Sequence, residues 1–421
     1  SNIDFLYLFL SIFFDNIIIN LIFMESTMKN LTWFKTIYAI LRIPFTIYYK
    51  VFHNYHYKKY KPKNKPFLVL SNHNSDGDQF MVGMAIKGHM FFVASEHIVR
   101  HGFGGRLVKL LANPIIRKKG AEAKSTVNDI IEALQNKSNV CMFVEGNRSF
   151  NGQTGWISPT NGQLVKKSHA TLITFRLDGG YFRTPRWAVN RRKGPEFGRV
   201  VNEYPYELLK DMTEDEITQI IRNDLYVNAY DWKKENQYIY KGKNLAENLE
   251  TVLFVCPKCK GIDTLKSNKD EFFCSCGFKV ILNEYCSFEN SDNDFFKNVY
   301  QWDMWQRNYL KENLDTLKSE YKDKPIFSHR DQTLSLINIE KNAKKVNSGK
   351  MELFSDRLVI SSENKTDIFY LSSIAGFSIS KMMTIFFSTN NGEYYEIKSD
   401  SIRTGVGYLI LYRYLTGRDY V

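Results

Sequence analysis

At 421 residues the chain exceeds one ordinary domain, and its 43% hydrophobic and 24% charged content is globular, which excludes a disordered or fibrous protein. Six cysteines are too few for a disulfide scaffold. A net charge of +12, with a pI near 9.1, points to anionic partners: a membrane surface, nucleic acid or phosphorylated substrates.

Residues 3–23 are strongly apolar but interrupted by Asp4, Asp15, Asn16 and Asn20. They read either as a spanning or re-entrant helix or as an extension upstream of a start at Met24 or Met28. They show no basic n-region and no small-residue cleavage site, which argues against a secretory signal. From Lys29 to Ser75 the chain carries nine Lys or Arg and no acid, interleaved with Trp33, Phe34, Tyr38, Phe45, Tyr48, Tyr49, Phe52 and Tyr55. Cations woven into aromatic and apolar residues suit a helix lying in a lipid headgroup layer. The competing reading is a solvated basic arm beside a core helix. Pro44 is expected to break the arm into two helices, because proline removes a backbone donor and clashes with the preceding turn.

Residues 66–180 alternate apolar runs with helical patterns. Pro66–Leu70, Met90–Ala94, Asn113–Arg117, Val140–Val144 and Thr171–Leu177 read as strands; Gln79–Lys87, Gly104–Leu111 and Ser125–Gln135 read as helices. The alternation predicts an α/β fold with a mostly parallel sheet and flanking helices. Ligands of such sheets collect at the carboxyl ends of strands.

Two polar strings sit at such ends. The first is Asn72-His73-Asn74-Ser75-Asp76-Gly77-Asp78. Ser71, Ser75 or Asp76 is expected to cap the helix that follows, with His73 on the loop and Asp78 in the first turn. Asp78 then accepts the Nδ1 proton of His73 and leaves Nε2 to take a proton from an alcohol. The second is Glu145-Gly146-Asn147-Arg148-Ser149. Arg148 supplies a fork for a phosphate, Gly146 admits close backbone approach, and Glu145 orders either Arg148 or a substrate hydroxyl. The bland alternatives are a polar helix cap and a surface Arg–Glu pair.

On these strings residues 30–200 resemble the glycerolipid acyltransferases, the 1-acyl-glycerol-3-phosphate acyltransferase family. Asn72 to Asp78 is similar to its Asn-His-x-Ser-x-x-Asp box, and Phe143 to Ser149 to its Phe-Pro-Glu-Gly-Thr-Arg-Ser box. The resemblance implies acyl transfer from acyl-CoA or acyl carrier protein to a glycerolipid hydroxyl. It makes His73 the general base, Asp78 its orienter, and Glu145, Gly146, Arg148 and Ser149 the acceptor site. Ile115-Ile116-Arg117 looks like the family's intermediate box; Arg117 is then a second phosphate ligand, with Lys118 and Lys119 as rivals and a solvated basic turn as the alternative. Val144 stands where the family has Pro, Asn147 where it has Thr, and Ser95 where it often has Lys. Thr171–Leu177 lacks the prolines of the fourth box. The implied acceptor is a lysophospholipid, 1-acyl-glycerol-3-phosphate first, with glycerol-3-phosphate or another lysolipid as the alternative, at the cytoplasmic face of a membrane.

Downstream, Thr213 to Glu216 forms a capping box that opens a helix expected to reach about Lys234. Cys256-Pro-Lys-Cys259 and Cys274-Ser-Cys276-Gly277 then enclose a fourteen-residue loop. Four thiolates at this spacing suit a closed, structural zinc ribbon, with redox pairing or a metal-free ribbon as alternatives. Cys286 reads as a bystander and Cys141 as strand core. Asn290–Leu314 reads as an aromatic-rich helix. Thr333–Ile339, Lys350–Phe354, Arg357–Ser361, Asp367–Leu371, Ile374–Ile379, Met383–Ser388 and Tyr394–Lys398 read as short strands, with a hairpin turn at Asn390-Asn391-Gly392 and a last helix at Gly405–Leu415. This pattern resembles a PH-like or GRAM-like barrel. The expected divisions are membrane-associating helices at 1–65, the acyltransferase domain at 66–250, the ribbon at 251–285, a helical linker at 286–324 and the β domain at 325–421.

A basic chain with a zinc ribbon also suggests nucleic-acid binding. The basic excess lies in the aromatic arm, away from the ribbon, which weighs against that reading. A scaffold with an inactive core is disfavoured by the complete His73/Asp78 pair.

Overall fold

The computed structural model describes residues 31–95, 102–117, 123–289, 295–337, 343–380 and 382–418. The expectations for 3–23, Met24, Met28, Lys118 and Lys119 lie outside them.

The N-terminal half is built on a seven-stranded sheet. Its strands are β1 (Tyr55–Tyr57), β2 (Phe67–Ser71), β3 (Phe91–Ser95), β4 (Ile115–Arg117), β5 (Val140–Phe143), β6 (Thr171–Asp178) and β7 (Glu196–Tyr204), in the order β1-β7-β6-β2-β5-β3-β4. From β6 to β4 every pairing is parallel; β7 is antiparallel to β6. Strand β2 is buried along its whole length, and a central parallel strand covered on both faces needs such an unbroken apolar run. One face packs Phe67, Val69, Ile173 and Phe175 under the helices Leu31–Phe52 and Asp78–Ala85. The other packs Leu68, Leu70 and Leu172 under Ala123–Gln135, Thr160–Ser168 and Glu214–Leu225.

Several elements differ from the sequence expectation. Leu31–Phe52 is one helix that runs through Pro44. An interior proline costs about 3 kcal/mol, but tertiary contacts on both sides of it hold the helix. Phe45 stacks on Phe80 at 4.3 Å, and Tyr38 and Arg42 donate to Gly83 O and Met84 O, the open carbonyls of the neighbouring helix end. The helix from Thr213 keeps its capping box but stops at Leu225; a second starts at Ala229, capped by Asn228. The aromatic-rich helix starts only at Val299, where Asn298 accepts from Gln301 N.

The C-terminal half is antiparallel. Strands β8 (Leu265–Asn268), β9 (Glu271–Cys274), β10 (Lys279–Leu282) and β11 (Phe288–Glu289) form a small meander around the cysteines. Strands β12 (Phe327–Leu336), β13 (Lys344–Leu353), β14 (Arg357–Ser361), β15 (Thr366–Tyr370), β16 (Ile374–Ser380), β17 (Thr384–Thr389) and β18 (Tyr394–Ser399) form a sheet ordered β15-β14-β13-β12-β18-β17-β16. Among the described residues no pair joins β15 to β16, so the ladder is open rather than a closed barrel. The helix Gly405–Leu415 is buried along most of its length against this half. One core runs through both parts and into the first half, from Tyr181 and Phe182 through Trp302 to Tyr408. The linker helix is therefore a packing element: Trp302 Nε1 donates to Val255 O, and Gln306 closes Val252 O and Phe254 N.

Candidate active site

Strand β2 pairs with both β5 and β6, and Ser71 lies level with Phe143 and Phe175. The two polar strings therefore leave adjacent strands at the same edge of the sheet. Asn72 exchanges two hydrogen bonds with Leu177 of β6, both 2.8 Å, and Asn74 Nδ2 also donates to Leu177 O. These bonds bend the chain after β2 and set His73 at the strand end.

His73 Nδ1 lies 2.8 Å from Asp78 Oδ2. Asp78 is fully buried and also accepts from Asn74 N at 2.6 Å, Ser75 N at 3.0 Å and Ser75 Oγ at 2.5 Å. These donors fix the carboxylate in place as an acceptor. The proton on His73 is assigned to Nδ1 from this pairing, which leaves the lone pair on Nε2. Nε2 meets no partner among the described residues, and the side chain is 22% exposed. The ring stacks on Phe143, centroids 4.5 Å apart, which limits its rotation.

The expected helix cap is absent. Gly77 occupies the N-cap without a side-chain bond, while Ser71 Oγ donates to Asn72 O, Ser75 serves Asp78, and Asp76 turns outward to Arg148.

The second string divides its labour differently from the expectation. Glu145 makes no bond to Arg148. Its Oε1 accepts from His73 N at 2.7 Å and its Oε2 from Gly155 N at 2.6 Å, so it braces the two loops together. Burial pushes its carboxyl up to about 7, against the pull of those two donors. Ser149 also faces inward: its Oγ donates to Gln153 O and accepts from Gly152 N, and its N–H donates to His73 O. Both side chains are bonded within the two loops.

Gly146 is closely packed by Arg117. Its φ is +68°, and a Cβ there would overlap the Arg117 guanidinium. Arg117, from the end of β4, is exposed as a whole residue, but its guanidinium lies against this turn, and lost hydration pushes its pKa below the usual arginine value. Arg148 Nη1 is 2.9 Å from Asp76 Oδ1, and Nη2 donates to Thr184 O at 3.4 Å.

Two groups near the site carry no signal in the sequence. Arg186 Nη1 donates to Arg148 O at 3.0 Å, and its guanidinium lies over Phe150, 4.3 Å from the ring centroid. His53 Nδ1 lies 3.2 Å from Glu196 Oε2, and Arg183 shares that carboxylate at 3.4 Å. Arg183 also donates to Phe52 O and His53 O, so this second imidazole–carboxylate pair locks the end of the long helix.

Residues 53–177, which contain both strings, match the family model described as Acyltransferase. This segment is similar to acyltransferase domains. The crystal structure of PlsC, a 1-acyl-sn-glycerophosphate acyltransferase from Thermotoga maritima, is 18% identical, with a TM-score of 0.41 over 52% of this chain and 87% of that one. Inner membrane complex sub-compartment protein 3 from Toxoplasma gondii is 14% identical, with a TM-score of 0.17 over 25% of this chain and 86% of that one. No curated protein matches the chain.

The four ribbon cysteines come together at the meander. Their Sγ atoms all lie within 4.8 Å of one another, with Cys256–Cys276 and Cys259–Cys274 each at 3.7 Å. Cys286 and Cys141 are buried elsewhere.

Proposed function

We propose that the protein transfers a fatty acyl group from acyl-CoA or acyl carrier protein to a hydroxyl of a lysophospholipid, 1-acyl-glycerol-3-phosphate first among them, at the cytoplasmic face of a membrane. Glycerol-3-phosphate is the alternative acceptor. The observation that carries this reading is the His73–Asp78 pair, whose Nε2 stands free at the strand end beside the Arg148 turn.

The chemistry follows from that geometry. Nε2 removes the proton of the acceptor hydroxyl as its oxygen attacks the thioester carbonyl. Asp78 stabilises the imidazolium. The tetrahedral adduct collapses, the thiolate leaves, and the imidazolium returns the proton to sulfur. The products are an ester and a free thiol. General-base help is worth on the order of 10²–10⁴-fold, and alignment of two bound substrates contributes further.

Membrane contact is assigned to the helix Leu31–Phe52. Ile40, Ile43, Ile47 and Val51 form an exposed stripe on it, while Ile37 and Tyr49 face the core. Among the described residues no helix is long and apolar enough to cross a membrane.

The cysteine cluster is read as a structural zinc site. Zn–S bonds of about 2.3 Å place the sulfurs of a tetrahedron about 3.8 Å apart, close to the 3.7 Å of the two pairs. Four thiolates leave no open position, so zinc would serve folding rather than catalysis. The C-terminal sheet with its packed last helix is read as a PH/GRAM-like unit.

The decisive assay offers labelled acyl-CoA and a panel of acceptors on liposomes. Acyl ester should form with the wild-type protein and not with His73→Ala. Equal transfer by both proteins would overturn the mechanism.

A further inference from the structure

A cavity of about 430 Å³ lies between β1, β7 and the helix Ala229–Asn236. Its walls are aromatic: His56 stacks on Phe197, centroids 5.1 Å apart, and Trp232 stands 5.6 Å from the same ring, inclined by 57°. Asp178 lines the cavity as well. This carboxylate is 4% exposed, and among the described residues its only hydrogen-bond donor is Arg176 Nε, at 3.3 Å. A carboxylate has room for about four donors, so most of its capacity is unused. Lys58 and Arg199, both exposed, line the same cavity. A second cavity of about 320 Å³ shares His56 and Tyr57 with the first and is lined by Lys50 and Lys59. Among the described residues no carboxylate pairs with Lys50, Lys58 or Lys59.

We propose that the two cavities form one site for a nucleotide, with its base in the aromatic cavity and its phosphates toward the lysines. Cavities of this size suit small ligands. A nucleobase is flat and stacks on aromatic side chains. Its exocyclic amino group donates to a carboxylate, which gives Asp178 the donor it lacks. The phosphates have the opposite need: they lie away from Asp178 and near the cations of Lys50, Lys58, Lys59 and Arg199. An apolar ligand would leave the lysines and Asp178 unused, and inorganic phosphate would leave the rings unused. Phe197, Arg199 and Trp232 lie outside residues 53–177, so the site is a feature of this chain and not of the segment that matches the family model. Asp178 follows Leu177, which bonds Asn72 beside His73, so the site opens at the same end of the sheet. That placement admits two sources of nucleotide: the adenosine end of a CoA thioester, or a free nucleotide. Only the first rests on the acyl-transfer reading.

Calorimetry titrates adenosine 3′,5′-bisphosphate into the full-length protein, with adenosine and pyrophosphate as its two halves. The bisphosphate should bind roughly ten-fold or more tightly than either half, because stacking and charge each contribute. Trp232→Leu should weaken it about five-fold or more, the loss of one stacked ring. Lys59→Gln removes an exposed charge without touching the core, and should weaken it about two-fold or more and flatten its salt dependence. Competition then separates the sources. Displacement of the bisphosphate by CoA assigns the site to the donor, and Trp232→Leu should then raise the acyl-CoA KM toward that of acyl-pantetheine, which lacks the nucleotide. Displacement by ATP alone assigns it to a free nucleotide. No binding of the bisphosphate, displacement by neither competitor, equal binding of the bisphosphate and its halves, or wild-type binding by both variants would each overturn the site. If the bisphosphate binds in the expected pattern to a protein that forms no acyl ester, the acyl-transfer reading fails and the nucleotide site stands.

Discussion

Two histidines, one in each half of the molecule, are held in similar ways and left in different states. His329 on β12 uses both ring nitrogens: Nδ1 meets Tyr408 Oη at 3.0 Å and Nε2 meets Asp263 Oδ2 at 3.3 Å. It joins the cysteine meander to the large antiparallel sheet and the last helix. His73 uses only Nδ1. The same contrast separates the acids. Asp303 is fully buried and is shared by Asn151, Gln306 and Arg307, three partners inside the fold. Asp78 is equally buried, yet all its bonds serve to aim a ring whose far nitrogen is open. Buried polar groups must be satisfied wherever they occur. A site differs from a structural network by the one valence left over.

The largest effect that probes this contrast is on chemistry. His73→Ala should lower acyl transfer by at least about 10²-fold with the thermal midpoint little changed. His329→Ala should lower the midpoint and spare the specific activity of the folded protein. Both are read from labelled-ester formation beside a melting curve. A His329→Ala protein that melts normally but has lost turnover would erase the distinction.

Next in size is the cysteine cluster. Cys259→Ala should abolish bound zinc in elemental analysis and lower the melting temperature, because metal binding free energy is folding free energy where a closed site is made. The shared core joins the meander to Tyr181 and Phe182, so acyl transfer should fall with it. A zinc-free protein that melts like the wild type would remove the site.

A subtler effect belongs to Glu145. Its carboxyl sits near 7 in the fold, above the usual 4.5, chiefly through burial. Between those values the folded chain holds a proton that the unfolded chain releases. The Glu145 contribution therefore makes stability fall as pH rises from about 4.5 to about 7. Glu145→Gln should flatten that part of the curve of urea midpoint against pH. Identical slopes for the two proteins would contradict the raised value.

The smallest expected change in stability is at the exposed stripe. Ile47→Asp should alter folding by less than about 0.5 kcal/mol, while it weakens sedimentation with anionic vesicles. Unchanged vesicle binding would move the membrane contact away from this helix.

Much of the fold is visible in the sequence where local pattern and tertiary environment agree. The parallel strands β2 to β6 are short apolar runs because both faces of their sheet are covered. The helix Gly405–Leu415 has the expected bounds, and the Asn390-Asn391-Gly392 turn joins β17 to β18. Prediction fails where a distant partner overrules a local rule. Pro44 should end a helix, but contacts from Phe80, Gly83 and Met84 hold it. Strand β7 is hidden in a polar, aromatic stretch because it takes its ladder from β6 and β1 rather than from an apolar run of its own. The helix Thr160–Ser168 escapes the apolar pattern for a related reason: its buried side chains include Asn161 and Ser168.

The candidate site divides along the same line. Residue type and spacing place His73 five residues before Asp78, and a loop of that length closes on itself, so the sequence alone determines the pair. Where the open nitrogen stands in space depends on Leu177 and Phe143, contributed by two other strands. That Glu145 braces His73 rather than serving Arg148, that Ser149 turns inward, and that Arg186 stands beside Arg148 are decided only by tertiary structure. Hydrogen bonds between loops depend on where separate strands end in space, and a linear chain does not encode that position locally.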